Sequence, residues 1–311
     1  MNRWLKIAVG LLVGILLVVY IGGSWFFANV IVGFNQRTLA EDQARRGYTY
    51  TRYDLPEPEL FHIERDDGIR LEGWFFDNEL AGDCGMVLLH GHTSTRYGSL
   101  HFTPLFWDKG CDLVVYDARH HGNSDGDYGT YGYHEKGDAV AMVEWLMART
   151  DLEMNDIGLM GVSYGAATAL QAGPLLPDIA FVAADSPYQD LKTIVTEQGE
   201  AQYGGWVQLF VPTAFAFSEV MADYEADEVS PMMAAAETTA PIFLSHSIQD
   251  EFTKSAHSEA IFSQIGHERA VLHLNDWGAS HGRDLLVQPE LYEANFEEFL
   301  EMYVPDFGVG G

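Results

Sequence analysis

The sequence has few basic residues, only two cysteines and no internal repeat or low-complexity tract. Of its 311 residues, 17 are Lys or Arg and 46 are Asp or Glu, which gives a formal net charge of −29 at pH 7. Such a surface repels phosphate backbones, so the composition argues against nucleic-acid binding. A glycine-rich phosphate loop after a strand is also missing, and no nucleotide cofactor is expected. The 12 histidines and two cysteines lack the spacing of a metal-ligand set, so no metal is expected either.

Charged residues and histidines are also absent from residues 7–34, a run dominated by Val, Leu, Ile, Phe and Gly. A helix needs roughly 20 apolar residues to cross a bilayer, whereas the apolar part of a secretory signal peptide has only about 7–15. The run therefore predicts an uncleaved membrane anchor over residues 1–34, with a signal peptide as the alternative. Arg3 and Lys6 precede the run and three arginines follow it, so the positive-inside rule does not decide the orientation. We favour the N-terminus inside the cell and the following domain outside.

The remainder of the chain has the pattern of one α/β domain. Residues 35–58 are polar and are predicted to form a stalk, and residues 59–305 a domain that begins with a hairpin around Asp66-Asp67-Gly68. Short apolar runs then alternate with segments of helical periodicity, and these runs are residues 86–90, 113–117, 157–161, 179–184, 242–245 and 271–275. Runs that are apolar on both faces are typical of buried parallel strands. The pattern predicts a mostly parallel sheet covered by helices on both faces, with its chemistry at the carboxyl ends of the strands.

A candidate nucleophile follows one of these runs. Gly161-Val162-Ser163-Tyr164-Gly165 joins a predicted strand to a helical segment. A sharp strand-to-helix turn of this kind holds a serine in a strained backbone conformation, and glycines two residues on either side allow neighbouring chain to approach closely. The pentapeptide alone is a weak signal, but its position between a strand and a helix predicts that Ser163 is catalytic.

A serine hydroxyl needs a base to remove its proton, and the base needs an acid to orient it. His281 lies in a glycine-flanked loop after the last predicted strand and is the predicted base, whereas His267 and His273 are expected to be structural. Asp250 follows the preceding strand and is the predicted acid, in the chain order Ser…Asp…His. Asp185, at the end of a strand one earlier in the chain, is the alternative acid.

The tetrahedral intermediate of acyl transfer needs two backbone N–H donors for its oxyanion. Tyr164, the residue after the nucleophile, is predicted to supply the first donor. The second is assigned to His92, in the loop after the strand at 86–90, with Thr93 as the alternative. The side chain of His92 is expected to lie near the mouth of the site without a catalytic role.

Residues 187–230 form an insertion between two strands that is far longer than the usual connection of about 2–6 residues. This insertion is predicted to be a cap over the nucleophile. Apolar residues recur in it at roughly helical spacing, and among them Trp206 and Phe210 are predicted to bind the acyl part of a substrate. The alternative is a helix buried on the body of the domain.

These motifs together resemble the α/β-hydrolase superfamily, in particular bacterial single-pass, membrane-anchored hydrolases related to the serine aminopeptidase-like and prolyl-oligopeptidase-like branches. The matching elements are His90-Gly91, residues 116–124 and 131–135, the Ser163 turn, Glu228-Val229-Ser230-Pro231, Asp250 and His281. The resemblance implies the α/β-hydrolase fold and a scaffold role for Asp117, Arg119, His121 and Ser124. It leaves the substrate open, because the superfamily includes esterases, thioesterases, peptidases and acyltransferases.

The same resemblance makes the strands at 86–90 and 113–117 neighbours in the sheet. Cys84 lies six residues before the end of the first, and Cys111 six before the end of the second. Parallel neighbours are about 4.8 Å apart, so a disulfide is possible between two cysteines at equal depth. The alternative is two small buried side chains that face opposite sides of the sheet.

We interpret the sequence as a membrane-anchored serine hydrolase that cleaves carboxylic esters of a small-molecule acyl substrate through an acyl-enzyme, without a cofactor. Thioester or peptide hydrolysis by the same residues is the alternative chemistry. A non-catalytic, membrane-tethered binding protein that has kept the fold is the alternative class. Loss of catalysis would be expected to erode the triad, and all three positions are filled.

Overall fold

A computed structural model gives the fold and describes residues 2–80, 82–266 and 268–308. The strands of the described residues are β1 Glu59–Glu64, β2 Arg70–Phe76, β3 Gly85–Leu89, β4 Asp112–Tyr116, β5 Ile157–Val162, β6 Phe181–Asp185, β7 Ile242–Ser247 and β8 Ala270–Asn275. They form one sheet in the order β1-β2-β4-β3-β5-β6-β7-β8. β2 pairs antiparallel with β1 and β4, and every other neighbouring pair is parallel.

Helices cover both faces of this sheet. The α-helices of the described residues are α1 Arg3–Val32, α2 Leu39–Arg46, α3 Pro104–Trp107, α4 Glu135–Arg149, α5 Tyr164–Ala172, α6 Leu191–Tyr203, α7 Val211–Ala222, α8 Pro231–Glu237, α9 Ala256–Gln264, α10 Asp284–Val287 and α11 Pro289–Tyr303. Short 3₁₀ helices, such as Gly205–Leu209, lie between them. Side chains of α4, α5, α8 and α9 pack in one core layer, and those of α3, α10 and α11 in the other. The predicted mostly parallel sheet with helices on both faces is confirmed.

The central strands are apolar on both faces because both faces are covered. In β3, Val87 and Leu89 belong to the core layer of α4 and α5, while Met86 and Leu88 belong to the layer of α3 and α11. All four side chains are buried. Burial of such a side chain stabilises the fold by roughly 1.5–3 kcal/mol, so a polar substitution on either face of β3 would be costly.

The topology brings distant parts of the chain together at one edge of the sheet. The carboxyl ends of parallel strands lie at the same edge. The loops after β3, β5, β7 and β8 therefore meet there, and they contain His92, Ser163, Asp250 and His281, respectively.

The segment predicted to be a stalk, residues 35–58, is folded against the domain. Helix α2 begins with a capping box in which Thr38 and Glu41 each bond the other's backbone N–H. Asp42 is fully buried and accepts hydrogen bonds from Ser94 Oγ at 2.8 Å and from Thr95 N at 3.0 Å. These bonds hold α2 beside the loop that follows β3.

The predicted anchor is helix α1. It has a mean hydropathy of 2.5 over an 18-residue window and is long and apolar enough to cross a membrane, a criterion that a signal sequence also meets. Its N-terminal part is exposed, with Leu11 at 65% and Val18 at 72% of their full accessibility. Its buried residues all lie toward the C-terminal end, and they are Ser24, Phe27, Ala28, Ile31 and Val32.

That C-terminal end packs on α7. The hydroxyls of Tyr20 and Thr213 are 2.6 Å apart, and the ring centroids of Phe27 and Phe210 are 5.7 Å apart. Gly23 allows the two helices to approach closely, because a Cβ atom at this position would lie 2.5 Å from the Phe210 ring. The last turns of α1 are thus part of the packing of the domain.

Cys84 and Cys111 form a disulfide in the structure, with their Cα atoms 4.6 Å apart. They lie immediately before β3 and β4, whose parallel register pairs Gly85 with Asp112. Equal depth in neighbouring strands is the arrangement expected from the sequence, and the two side chains face the same side.

Candidate active site

Ser163 lies at the turn between β5 and α5, with φ 56° and ψ −114°. This left-handed conformation is strained for a non-glycine residue. Both flanking glycines are required by close backbone contacts. A Cβ atom at Gly161 would lie 2.4 Å from the Gly165 backbone, and one at Gly165 would lie 2.5 Å from the Leu89 carbonyl oxygen. The local geometry is that of a nucleophile elbow, as the pentapeptide predicts.

The structure brings Ser163, His281 and Asp250 together. Ser163 Oγ is 2.8 Å from His281 Nε2, and His281 Nδ1 is 2.6 Å from Asp250 Oδ2. When Nδ1 carries the proton and donates it to the carboxylate, Nε2 is free to accept the serine proton. These distances allow the hydroxyl to be activated without any movement of the chain.

Several groups fix the Asp250 carboxylate. Its Oδ1 atom accepts hydrogen bonds from the backbone N–H groups of Phe252 and Thr253, each at 2.9 Å. His246 Nε2 lies 3.3 Å from Oδ2. Burial opposes ionisation, but the hydrogen bonds from His246 and His281 outweigh it and hold the pKa of Asp250 below its usual range. Asp250 is therefore a carboxylate at neutral pH and can stabilise a protonated His281.

Asp185, the alternative acid, has different surroundings. Its Oδ1 atom accepts a hydrogen bond from Ser186 Oγ at 2.8 Å, and His281 bonds Asp250 instead. Burial, and then the nearby carboxylate of Asp284, raise the pKa of Asp185 to about 7. A carboxyl group that resists ionisation is a poor partner for an imidazolium.

The two residues whose amides are predicted to bind the oxyanion, Tyr164 and His92, line the same cavity as Ser163. The Tyr164 amide is the first N–H of α5, a position that has no acceptor within its own helix. The Thr93 amide donates a hydrogen bond to His121 Nε2 at 3.3 Å. Within the described residues, no acceptor is found for the N–H of His92. The geometry therefore leaves His92, rather than Thr93, available as the second donor.

The histidines around this loop contact the backbone. His90 Nε2 accepts from the Ala118 amide at 3.0 Å, and His121 Nδ1 lies 2.9 Å from the Arg119 carbonyl oxygen. Burial, and then His120, lower the pKa of His92 to about 3, so its ring is neutral. In the part of the chain that the structure describes, no group of three or more His, Cys, Asp or Glu could hold a metal ion. His273 lies in β8, and His267 lies outside the described residues.

An apolar cavity of about 290 Å³ adjoins Ser163. Val207 and Val211, from the predicted cap, contribute to its lining. Trp206 and Phe210 are not among the lining residues; they pack on Phe27 of α1, with ring centroids 6.0 and 5.7 Å away. Other residues of the predicted cap thus line the cavity, whereas the two aromatic side chains that were predicted to bind the substrate face α1.

Helix α1, the predicted anchor, also contributes to this cavity, which the sequence analysis did not predict. Phe27, Val30 and Ile31 of α1 line it together with residues of α6 and α7. The only available signal was the length of the apolar run, which exceeds the roughly 20 residues that a membrane span requires. The excess residues are those that pack on the domain.

Comparison with known proteins supports this architecture. Residues 34–219 match the X-Pro dipeptidyl-peptidase (S15) family. The uncharacterized protein YqkD of Bacillus subtilis is 26% identical over 297 residues, which cover 94% of this chain and 96% of that protein. The solved structure of the esterase Pf2001 of Pyrococcus furiosus is similar with a TM-score of 0.66 and 26% identity, over 82% of this chain and 96% of the esterase.

A more distant structural neighbour is the acylaminoacyl peptidase of Pyrococcus horikoshii, with a TM-score of 0.60 and 18% identity over 80% of this chain and 42% of the peptidase. At this identity the likeness concerns the fold alone. These neighbours confirm the α/β-hydrolase fold and the predicted superfamily. The chain belongs to the X-Pro dipeptidyl-peptidase (S15) family of α/β-hydrolases, and it is an enzyme of the serine hydrolase kind.

Proposed function

We propose that the protein hydrolyses carboxylic esters through an acyl-enzyme, with Ser163, His281 and Asp250 as its catalytic triad. Ser163 attacks the ester carbonyl while His281 accepts its proton, and Asp250 stabilises the imidazolium that forms. His281 then gives the proton to the departing alkoxide and, in the second half of the reaction, removes a proton from water. The backbone amides of Tyr164 and His92 stabilise the oxyanion in both halves.

The cavity beside Ser163 is the observation that favours an ester over a peptide. Its lining residues within the described chain include no Asp, Glu, Lys or Arg. A dipeptidyl-peptidase must accept the free ammonium group at the N-terminus of its substrate, and a buried ammonium group needs a carboxylate partner. An uncharged acyl chain needs none and is stabilised by contact with apolar side chains.

A substrate screen tests this proposal. We expect the full-length protein in detergent to hydrolyse nitrophenyl esters with a higher kcat/KM than matched acyl thioesters or aminoacyl-proline amides. Ser163→Ala, purified in the same way, is the control for contaminating hydrolases. A preference for the aminoacyl-proline amides would overturn the ester assignment and favour the activity in the family's name, and a preference for thioesters would favour a thioesterase.

We further propose that α1 remains in the mature protein as a single-pass anchor in the cell membrane. Its exposed N-terminal part is available to lipid, while Phe27, Ile31 and Val32 are buried against the domain. The Gly129 amide donates to the Val32 carbonyl oxygen at 2.9 Å, which ties the end of α1 to the loop before α4. Removal of α1 would break this bond and expose one side of the apolar cavity, which would destabilise the domain. Cleavage of a signal peptide that does not pack on the domain would have no such effect.

The cavity position of Val211 gives a direct test of acyl binding. We expect Val211→Phe to lower kcat/KM for an octanoyl ester, relative to an acetyl ester, by roughly tenfold or more, the order of selectivity of one methylene-sized change in an apolar pocket. Val220→Phe is the matched control, because Val220 is on the same helix and is 85% exposed. Equal losses for both esters would show that the cavity does not hold the acyl chain.

The disulfide provides a test of orientation. Disulfides persist in oxidising compartments and are rare in the cytosol, so an external domain would keep Cys84 and Cys111 bridged. We expect no free thiol when the protein is extracted with a thiol-blocking reagent present and then titrated in denaturant without reductant. Two free thiols would argue against a domain outside the cell, while leaving the hydrolase assignment intact.

A further inference from the structure

A second cavity, of about 740 Å³, meets the apolar one at His92, Ser163 and Phe252. Its character is different, because four arginines line it. They are Arg37, Arg45, Arg46 and Arg283. The chain has only 12 arginines and a net charge of −29, so a third of its guanidinium groups lie around one cavity beside the nucleophile.

The positive charge in this cavity is only partly compensated. Asp42 is the one carboxylate among its described lining residues, and it pairs with Arg37 at 3.3 Å and Arg46 at 3.2 Å. Arg45 and Arg283 are exposed, and neither forms an ion pair within the described residues. Burial, and then the nearby charge of Arg45, lower the pKa of Arg37. The arginines thus remain close together despite their mutual repulsion.

The position of His281 determines which part of a substrate would enter this cavity. His281 lines the second cavity but is not among the lining residues of the first. The imidazole must donate its proton to the leaving alkoxide, so the alcohol part of the ester lies on the His281 side of Ser163. The acyl part then lies in the apolar cavity.

We propose that the natural substrate is an ester of an apolar acyl chain with an alcohol that bears an anionic group, a phosphate or a carboxylate, which the four arginines bind. The proposal rests on the ester hydrolase function proposed above. Guanidinium groups form paired, charge-assisted hydrogen bonds with both kinds of anion. Hydrolysis consumes one water molecule and releases a free fatty acid and the anionic alcohol.

A pair of soluble esters tests the proposal with the full-length protein. The probes are 4-nitrophenyl octanoate and its analogue with a carboxylate on the ring, and the quantity compared is the ratio of their kcat/KM values. We expect the wild type to favour the carboxylated ester. The double variant Arg45→Glu/Arg283→Glu should lower the ratio roughly 10- to 100-fold, the effect of losing one or two charge-assisted hydrogen bonds. The ratio of the wild type should also fall as salt is added, because the interaction is electrostatic.

Arg149→Glu is the matched control, since Arg149 lies at the end of α4, pairs with Glu59 and is not a lining residue of either cavity. A wild-type ratio near one, or a ratio that the double variant does not change, would overturn the proposal. Continued hydrolysis of the neutral ester would in that case leave the esterase function standing, whereas no hydrolysis of either ester would contradict that function itself.

Vesicles distinguish a lipid from a soluble source of the anion. Fatty acid release is measured from phosphatidylglycerol and phosphatidylcholine vesicles, with the wild type and the double variant. Faster release from phosphatidylglycerol, lost in the double variant, would support a lipid headgroup. Selectivity between the soluble esters alone would support a soluble anionic ester. Weaker binding of the double variant to anionic vesicles, with both substrate ratios unchanged, would make the arginines a membrane contact and overturn the proposal.

Discussion

Ser163→Ala is expected to abolish labelling by a fluorophosphonate probe and to lower kcat by about 10⁶-fold, the loss seen when a triad serine is removed. The probe reacts only with an activated hydroxyl, and Ser163 Oγ lies 2.8 Å from His281 Nε2. His281→Ala should cause a comparable loss, because members of a triad act as a unit. Gel fluorescence after labelling and turnover of a nitrophenyl ester measure the two effects.

Ser280→Ala is the control for this experiment. Ser280 is an exposed serine directly before His281, and the Nε2 atom of His281 bonds the hydroxyl of Ser163 instead. We expect this variant to be labelled like the wild type. Persistent labelling of Ser163→Ala would mean that another residue is the nucleophile, and the assignment of the site would have to be abandoned.

The parts of the site that sequence predicts are those set by local geometry or chain order. The turn around Ser163 is a local strand–turn–helix unit, in which Gly161 avoids a contact with the Gly165 backbone. Gly165 instead makes room for Leu89 of the neighbouring strand β3, but its place in the motif can be read from the sequence. The order of nucleophile, acid and base along parallel strands likewise selects Asp250 and His281. The motif and the chain order can both be recognised in a sequence without knowing how the helices pack.

The parts that sequence does not predict depend on which way a helix faces. The segment Gly205–Leu209 is a 3₁₀ helix that precedes α7, so a single helical period does not run through it. It also has two apolar sides, one toward α1 and one toward the cavity. Only Val207 of this segment is buried, while Trp206 is 59% exposed, and the apolar pattern of the sequence does not show which of the two faces the nucleophile.

The contribution of α1 to the cavity could not be predicted for a similar reason. Helix α1 is apolar on all sides, so its sequence gives no indication of which face packs on the domain. Arg37, Arg46 and Arg283 converge only because α2 folds back on the loop after β3. In the sequence the first two appeared simply as charges that follow a hydrophobic run.

The two candidate acids, Asp250 and Asp185, can be distinguished by their asparagine variants. Asp250→Asn should lower kcat by about 10⁴-fold, because an amide cannot hold His281 in the tautomer that accepts the serine proton. Asp185→Asn should cause a much smaller loss, since the Asp185 carboxyl bonds Ser186 and not His281. Turnover of an acetyl ester, with labelling as a measure of active protein, compares the two variants.

The pH dependence of stability separates the same two residues by its sign. The pKa of Asp250 is lowered on folding, so its contribution is present above the ordinary value of 3.8 and is lost as the pH falls. The pKa of Asp185 is raised to about 7, so its contribution is present below 3.8 and is lost as the pH rises toward 7. Substitution by Asn, which does not ionise, removes the pH-dependent contribution of either residue to stability.

We therefore expect Asp185→Asn to gain thermal stability relative to the wild type between pH 5 and pH 8, and Asp250→Asn to be less stable than the wild type throughout that range. Thermal unfolding of the detergent-solubilised protein at both pH values measures this difference. The two readouts are independent, because one follows the tautomer of His281 and the other the ionisation of a buried carboxyl. A larger loss of turnover in Asp185→Asn would transfer the acid role to Asp185. An Asp185→Asn stability profile parallel to that of the wild type would mean that this carboxyl is already ionised in the fold. The electrostatic argument against Asp185 would then be lost, and only the 2.6 Å contact between His281 and Asp250 would still favour Asp250.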